Sequence, residues 1–239
     1  MELARFLHGT SDTRTGGQTL THGRAYEAFG NVFFGGRRRQ VFTRLARLSG
    51  ARPGDRALDV GCGTGYLTLC VADAVGPTGS ALGIDPSPDV LAHARRRAVR
   101  HPQCAFADGI AEDLPGPDGG YDLVVSSLMV HHLPEDVRAR AAAEMYRVLR
   151  PGGRLLLADF RPPANPLARH LVGAVTGPVM EHNPVHLLQP LVRDAGFTGI
   201  ETGDLHPWIH YVRAAKPTDP GTPAGPGTPG ASAAPGERA

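Results

Sequence analysis

The sequence predicts an α/β fold built on a doubly wound, mainly parallel sheet with helices on both faces. Three observations predict it. From Ala57 to Leu157 short apolar runs alternate with helical patterns, so consecutive strands are joined by crossovers and lie parallel. The first run ends in an acidic residue, Asp59, and opens into Gly61-Cys62-Gly63-Thr64-Gly65, glycine at alternate positions before a helix. Such a loop brings backbone close to a ligand because no Cβ intervenes. It also aims the free N–H groups of the next helix at that gap. A second acidic residue, Asp85, ends the next run, where nucleotide ribose is commonly held.

The elements follow in order. Residues 1 to about 24 are polar, with no periodicity. Tyr26, Phe29, Val32 and Phe33 then fall on one apolar helix face, which Gly35-Gly36 interrupts. A second helix starts at Arg37-Arg38-Arg39, carries Val41, Phe42, Leu45 and Leu48 on one side, and stops at Gly50 and Pro53-Gly54. Strands are predicted at 56–60, 80–85, 103–107, 121–127 and 154–159. Helices are predicted at 65–75, from Ser87-Pro88-Asp89 onward, and at 134–149. Ser87 reads as an N-cap with proline at the first helical position. Past Asp159 prolines break the pattern, weak helices fall near 167–176 and 184–195, and two strands, 197–202 and 208–214, are joined by a short turn. Residues 217–239 are nearly all Pro, Gly, Ala, Ser and Thr, and are expected to form a disordered tail. The domain reading is therefore 1–50 as an N-terminal segment and lid, 51–216 as the binding domain, and 217–239 as tail.

Composition narrows the function. The 239 residues carry a formal net charge of +2, so no global field favours nucleic acid or a membrane surface. Arginine greatly outnumbers lysine, which reads as a GC-rich bacterial source. Cys62, Cys70 and Cys104 lack metal-ligand spacing, so no metal site is expected, and their odd number points to a reducing cytoplasm. No apolar signal region opens the chain, and no run is long enough to span a bilayer.

Which cofactor the loop holds turns on one position. The dinucleotide pattern is G-x-G-x-x-G, but here Tyr66 stands where its last glycine belongs. The succession of motifs resembles instead the class I S-adenosylmethionine-dependent methyltransferases. The matching stretches are Leu58 to Gly65, Gly83-Ile84-Asp85, Ala107-Asp108-Gly109, Asp122 to Ser127 with His131-His132-Leu133, and Leu149 to Leu157. The chain is most similar to the branch that includes quinone-biosynthesis methyltransferases. The resemblance implies a Rossmann-like sheet of seven strands with a C-terminal antiparallel strand, and S-adenosylmethionine as cofactor. It implies that Asp59 faces the methionine amino group or orders the loop, that Asp85 holds the ribose hydroxyls, and that Asp108 with Gly109 contacts adenine. Gly61, Gly63 and Gly65 cradle the cofactor, with Thr68 and Ser127 as minor contacts.

In-line methyl transfer needs alignment and exclusion of water more than a catalytic constellation. If a base is used, His131 or His132 is the candidate, with His131 marginally ahead. His170, His182, His186, His206 and His210 lie in the variable C-terminal third; His182-Asn183 is the most suggestive for the acceptor side. Arg37-Arg38-Arg39 reads as a solvated face, with steering of an anionic acceptor or contact with lipid as the alternative. The expected partner is a small apolar or aromatic acceptor, with no nucleic acid. Two other readings remain open: an NAD(P)-binding oxidoreductase, and a protein that binds the cofactor without turnover.

Overall fold

A computed structural model describes the backbone of residues 8–11 and 18–20, together with residues 34, 36–165, 170, 183, 185–206 and 208–218. The aromatic stripe Tyr26 to Phe33, His182, most of the helix expected near 167–176 and nearly all of the tail lie outside the described residues. A small antiparallel pair, β1 (His8–Ser11) and β2 (Gln18–Leu20), falls in the stretch that shows no periodicity.

The main sheet has seven strands: β3 (Arg56–Val60), β4 (Ser80–Asp85), β5 (Cys104–Asp108), β6 (Tyr121–Ser127), β7 (Leu149–Phe160), β8 (Thr198–Leu205) and β9 (Ile209–Ala215). Their spatial order is β5-β4-β3-β6-β7-β9-β8. Every neighbouring pair from β5 to β7 is parallel, and β9 is antiparallel to both β7 and β8. The expected sheet, with its single reversed strand, is therefore present. The central strands read as almost continuous apolar runs because they are covered on both faces; Leu58, Val60, Leu123, Val124 and Val125 are all fully buried.

Among the described residues five α-helices flank the sheet: α1 (Arg38–Leu48), α2 (Tyr66–Val75), α3 (Pro88–Arg97), α4 (Glu135–Val148) and α5 (Leu188–Asp194). One core layer lies under α4 and α5, where Met145, Val148 and Val192 meet Leu155 and Leu157. The other lies under α1 and α2, where Val41, Phe42 and Leu45 meet Leu67, Val71 and Leu156. The inward spacing of Val41, Phe42 and Leu45 thus makes α1 part of the domain core.

The start of β7 and the cap of α3 differ from the sequence reading. β7 begins at Leu149, five residues early, because Leu149 pairs with Tyr121 and the Pro151-Gly152-Gly153 turn is held by Lys216. The Gly152 N–H donates to Lys216 O and the Lys216 N–H to Gly153 O, both at 2.9 Å. Ser87 occupies the N-cap position of α3 without a side-chain capping bond. Its own N–H donates to Asp85 instead, at 2.9 Å. Among the described residues no helix is long and apolar enough to cross a membrane, and no cluster of three His, Cys, Asp or Glu side chains is arranged to hold a metal.

Candidate functional site

The strand order reverses between β3 and β6, on either side of which the chain departs in opposite directions. A cleft opens there, at the carboxyl ends of the strands, as expected for an open α/β sheet. Its walls are the glycine loop, Asp85-Pro86, the Gly109 to Glu112 loop, the exit of β6 from Ser127 to Met129, His132, and Arg38 with Phe42 of α1. About 870 Å³ of atom-free space lies within it, its open mouth included.

The three glycines serve different ends. At Gly61 a Cβ would lie 2.2 Å from Met129 Cγ, so this glycine admits the residue that turns over the loop from β6. At Gly65 a Cβ would meet the Phe106 ring at 2.9 Å and Ala94 at 3.1 Å, so this one lets α2 start against α3 and β5. At Gly63 a Cβ would meet nothing within 4 Å, yet φ is +52°, a conformation that side-chain-bearing residues avoid. Gly63 thus leaves open space on the cleft side, and its backbone is what a ligand would touch.

Asp85 fixes that backbone. The Gly63 N–H donates to Asp85 Oδ2 at 2.9 Å, and the Ser87 N–H to Oδ1 at 2.9 Å. A carboxylate offers about four acceptor sites, so Asp85, which lines the cleft, retains capacity for a diol. Burial pushes its carboxyl up to about 6, against the pull of those two amides; Asp108, its neighbour in the β4–β5 register, adds a like charge.

Behind the loop lies Asp59, 2% exposed, which accepts a 2.6 Å hydrogen bond from Thr68 Oγ1. This pair ties the end of β3 to the first turn of α2. Both residues are buried, and neither lines the cleft. The second oxygen of Asp59 is buried with no hydrogen bond. Desolvation pushes this carboxyl up to about 7. The Cys62 thiol is pushed up by burial and by the nearby Asp59 charge, so it stays a neutral wall and not a nucleophile. Asp108 is exposed and outside the cleft wall, whereas Gly109 and Ser127 are part of it.

The two histidines part company. The His131 ring is buried and its Nδ1 lies 2.6 Å from Asp159 Oδ1. Asp159 also accepts the His131 and Phe160 N–H groups and the Asn183 side-chain amide. His131 is thus committed to a buried network. His132 lines the cleft, its ring tilted 42° to that of His131 with centroids 4.0 Å apart. Of the distal histidines, His210 pairs with Asp204 near the β8–β9 turn and is not among the residues that line the cleft.

Two cleft residues, Arg38 and Leu128, escape the motif reading. Arg38 is only 4% exposed, with its guanidinium 4.3 Å over the Tyr66 ring and 5.7 Å from Phe42. Arg97 also approaches Tyr66, at 4.6 Å. Arg38 belongs to the same helical period as Val41, Phe42 and Leu45, a signal that the charge run conceals. Leu128 has φ +56°, the single positive value outside glycine among the described residues. Its N–H is held by Ala158 O at 2.8 Å, which turns the chain so that Met129 covers Gly61. No sequence signal marks that turn.

Residues 57–153 match the family model of a methyltransferase domain. The chain is 37% identical over 145 residues to the ubiquinone/menaquinone biosynthesis C-methyltransferase UbiE of Ectopseudomonas mendocina, covering 59% of this chain and 56% of that protein. It spans about half the length of the curated relatives it matches. In fold it is similar to an S-adenosylmethionine-dependent methyltransferase from Aquifex aeolicus, with a TM-score of 0.67 at 18% identity over 82% of this chain and 98% of the other. It is also similar to the [4+2]-cyclase SpnF, with a TM-score of 0.60 at 21% identity over 85% of this chain and 87% of that one.

Proposed function

We propose that this chain carries a class I S-adenosylmethionine-dependent methyltransferase domain and methylates a small apolar or aromatic acceptor of the phenol or quinol type. The observation that carries the reading is Asp85, which ends β4 on the cleft wall and fixes the Gly63 amide in the glycine loop. The residues fit the cofactor: Gly63 leaves the space that a Cβ would fill, and Asp85 keeps acceptor capacity for a ribose diol. S-adenosylmethionine, when bound, supplies the activated methyl group.

The rest is work for this chain's own residues. Gly63 and Asp85 hold and orient. Ser127 and Gly109 close the walls, and Phe42, Leu67, Leu128, Met129 and Leu133 keep water out of the cleft. His132 is the imidazole on that wall, placed to take the proton an acceptor hydroxyl gives up. Apolar side chains dominate the region beside it. That suits a flat ring better than a polyanion, and the relative named for ubiquinone and menaquinone biosynthesis supports the same class.

Calorimetry tests the cofactor. S-adenosylhomocysteine should bind with micromolar affinity, about −8 kcal/mol, and NAD should not compete. Transfer of label from methyl-labelled cofactor to a panel of phenols and quinols tests the acceptor. NAD binding without a response to S-adenosylhomocysteine would overturn the reading.

A further inference from the structure

One stretch of this protein, centred on α1, carries positive charge with no acidic residue to offset it. Between residues 28 and 54 there are six arginines and no acidic residue, in a chain whose net charge is +2. The remainder of the molecule is therefore net negative. α1 divides its arginines between two faces. Arg38 turns inward to the cleft, while Arg39, Arg44 and Arg47 turn outward and are exposed. These three line an open groove with Gln40, Thr43 and Arg213 of β9. Arg213 is paired with Glu201 at 2.6 Å. Arg39, Arg44 and Arg47 form no ion pair among the described residues.

We propose that this outward face of α1 docks on anionic phospholipid headgroups and so presents the cleft to an acceptor dissolved in the bilayer. The proposal rests on the apolar-acceptor reading above. The apolar face of α1 is used up in the core, where Val41, Phe42, Leu45 and Ala46 are buried, so the helix cannot insert. Binding is electrostatic, worth about 1 kcal/mol per arginine near an anionic surface and weakened by salt. Two features favour lipid over nucleic acid. None of the described residues lining the groove is aromatic, so bases have no stacking platform. The groove also begins where the cleft begins: Arg39 and Gln40 lie in it, while Arg38 and Phe42, on the next face of the same turns, wall the cleft.

Co-sedimentation of the full chain with phosphatidylcholine vesicles, with and without phosphatidylglycerol, tests this. Binding should require phosphatidylglycerol and should vanish at high salt. The combined variant Arg39→Gln, Arg44→Gln, Arg47→Gln should bind about a hundredfold more weakly. Its melting temperature and its affinity for S-adenosylhomocysteine should be unchanged. Binding to neutral vesicles at equal strength, vesicle binding unaltered by the triple variant, or displacement from vesicles by a random oligonucleotide at lower concentration than the lipid would each overturn the proposal. The calorimetric titration keeps the two readings apart. Loss of S-adenosylhomocysteine binding in the unaltered protein counts against the methyltransferase reading, whereas vesicle binding reports on the docking face alone.

Discussion

Two carboxyls beside the glycine loop titrate near neutrality, and they do so with different consequences. Asp85 must be ionised to accept from a diol. With its carboxyl at about 6, only about a tenth is ionised at pH 5, so S-adenosylhomocysteine should bind roughly tenfold more weakly there than at pH 8. Calorimetry at the two values checks this. Asp85→Ala should cost tenfold to a hundredfold in affinity at pH 8, since hydrogen bonds to a charged group are worth about 1.5–3 kcal/mol. An unchanged affinity would remove Asp85 from the site. Asp59 acts on stability instead. Unfolded, it ionises near 3.8; folded, near 7. Between those values the folded state holds a proton that the unfolded chain has released. Stability from this group is therefore full below about pH 4 and declines as pH rises to 7, at up to about 1.4 kcal/mol per unit. Asp59→Asn, which still accepts from Thr68, should flatten that slope. Urea unfolding at acid and neutral pH would show it; a wild-type profile no steeper than the variant's would mean that Asp59 is ionised throughout.

At the scale of elements, α1 has two roles at once. Leu45 is fully buried between α2 and the sheet. Leu45→Ala should cost about 2–5 kcal/mol, the range for a truncated core leucine, read from denaturant midpoints. A loss well below that would mean that α1 is a detachable cover and not a layer of the core. The C-terminal end of α4 depends on one residue distant in sequence. Lys216 Nζ donates to Tyr146 O and Leu149 O at 2.8 Å and lies 4.5 Å over the Tyr146 ring. A cation there satisfies carbonyls that a helix end leaves open. Lys216→Met should destabilise by about 1–2 kcal/mol, by the same measurement. Removal of residues 219–239 should leave the melting temperature unaltered, since that composition offers little apolar area to bury.

At the scale of the whole molecule, the fold is shared by proteins of different chemistry, a methyltransferase and a [4+2]-cyclase among them. The sheet thus supplies a cleft at its switch point, and the reaction depends on what lines it. Much of this was legible in the chain. The strands of the parallel core fall where their apolar runs fall, and Gly61, Gly63, Gly65 and Asp85 form one loop-and-carboxylate unit, because period, turn chemistry and strand-end position are local properties that a sequence carries openly. What the chain could not declare is direction. Arg38 and Arg39 are adjacent and chemically identical, yet one is sealed against Tyr66 and the other faces solvent, since α1 has only one side toward the sheet. His131 and His132 are equally adjacent, and only the arrival of Asp159 and Asn183 from distant segments takes His131 into the interior and leaves His132 on the cleft. Leu128 adopts its strained turn because Ala158 of the neighbouring strand holds its N–H. The sequence by itself determined the sheet, the loop and the acid that fixes it. The tertiary structure decided which of two like neighbours lines the cleft, because that choice depends on contacts between segments far apart in the chain.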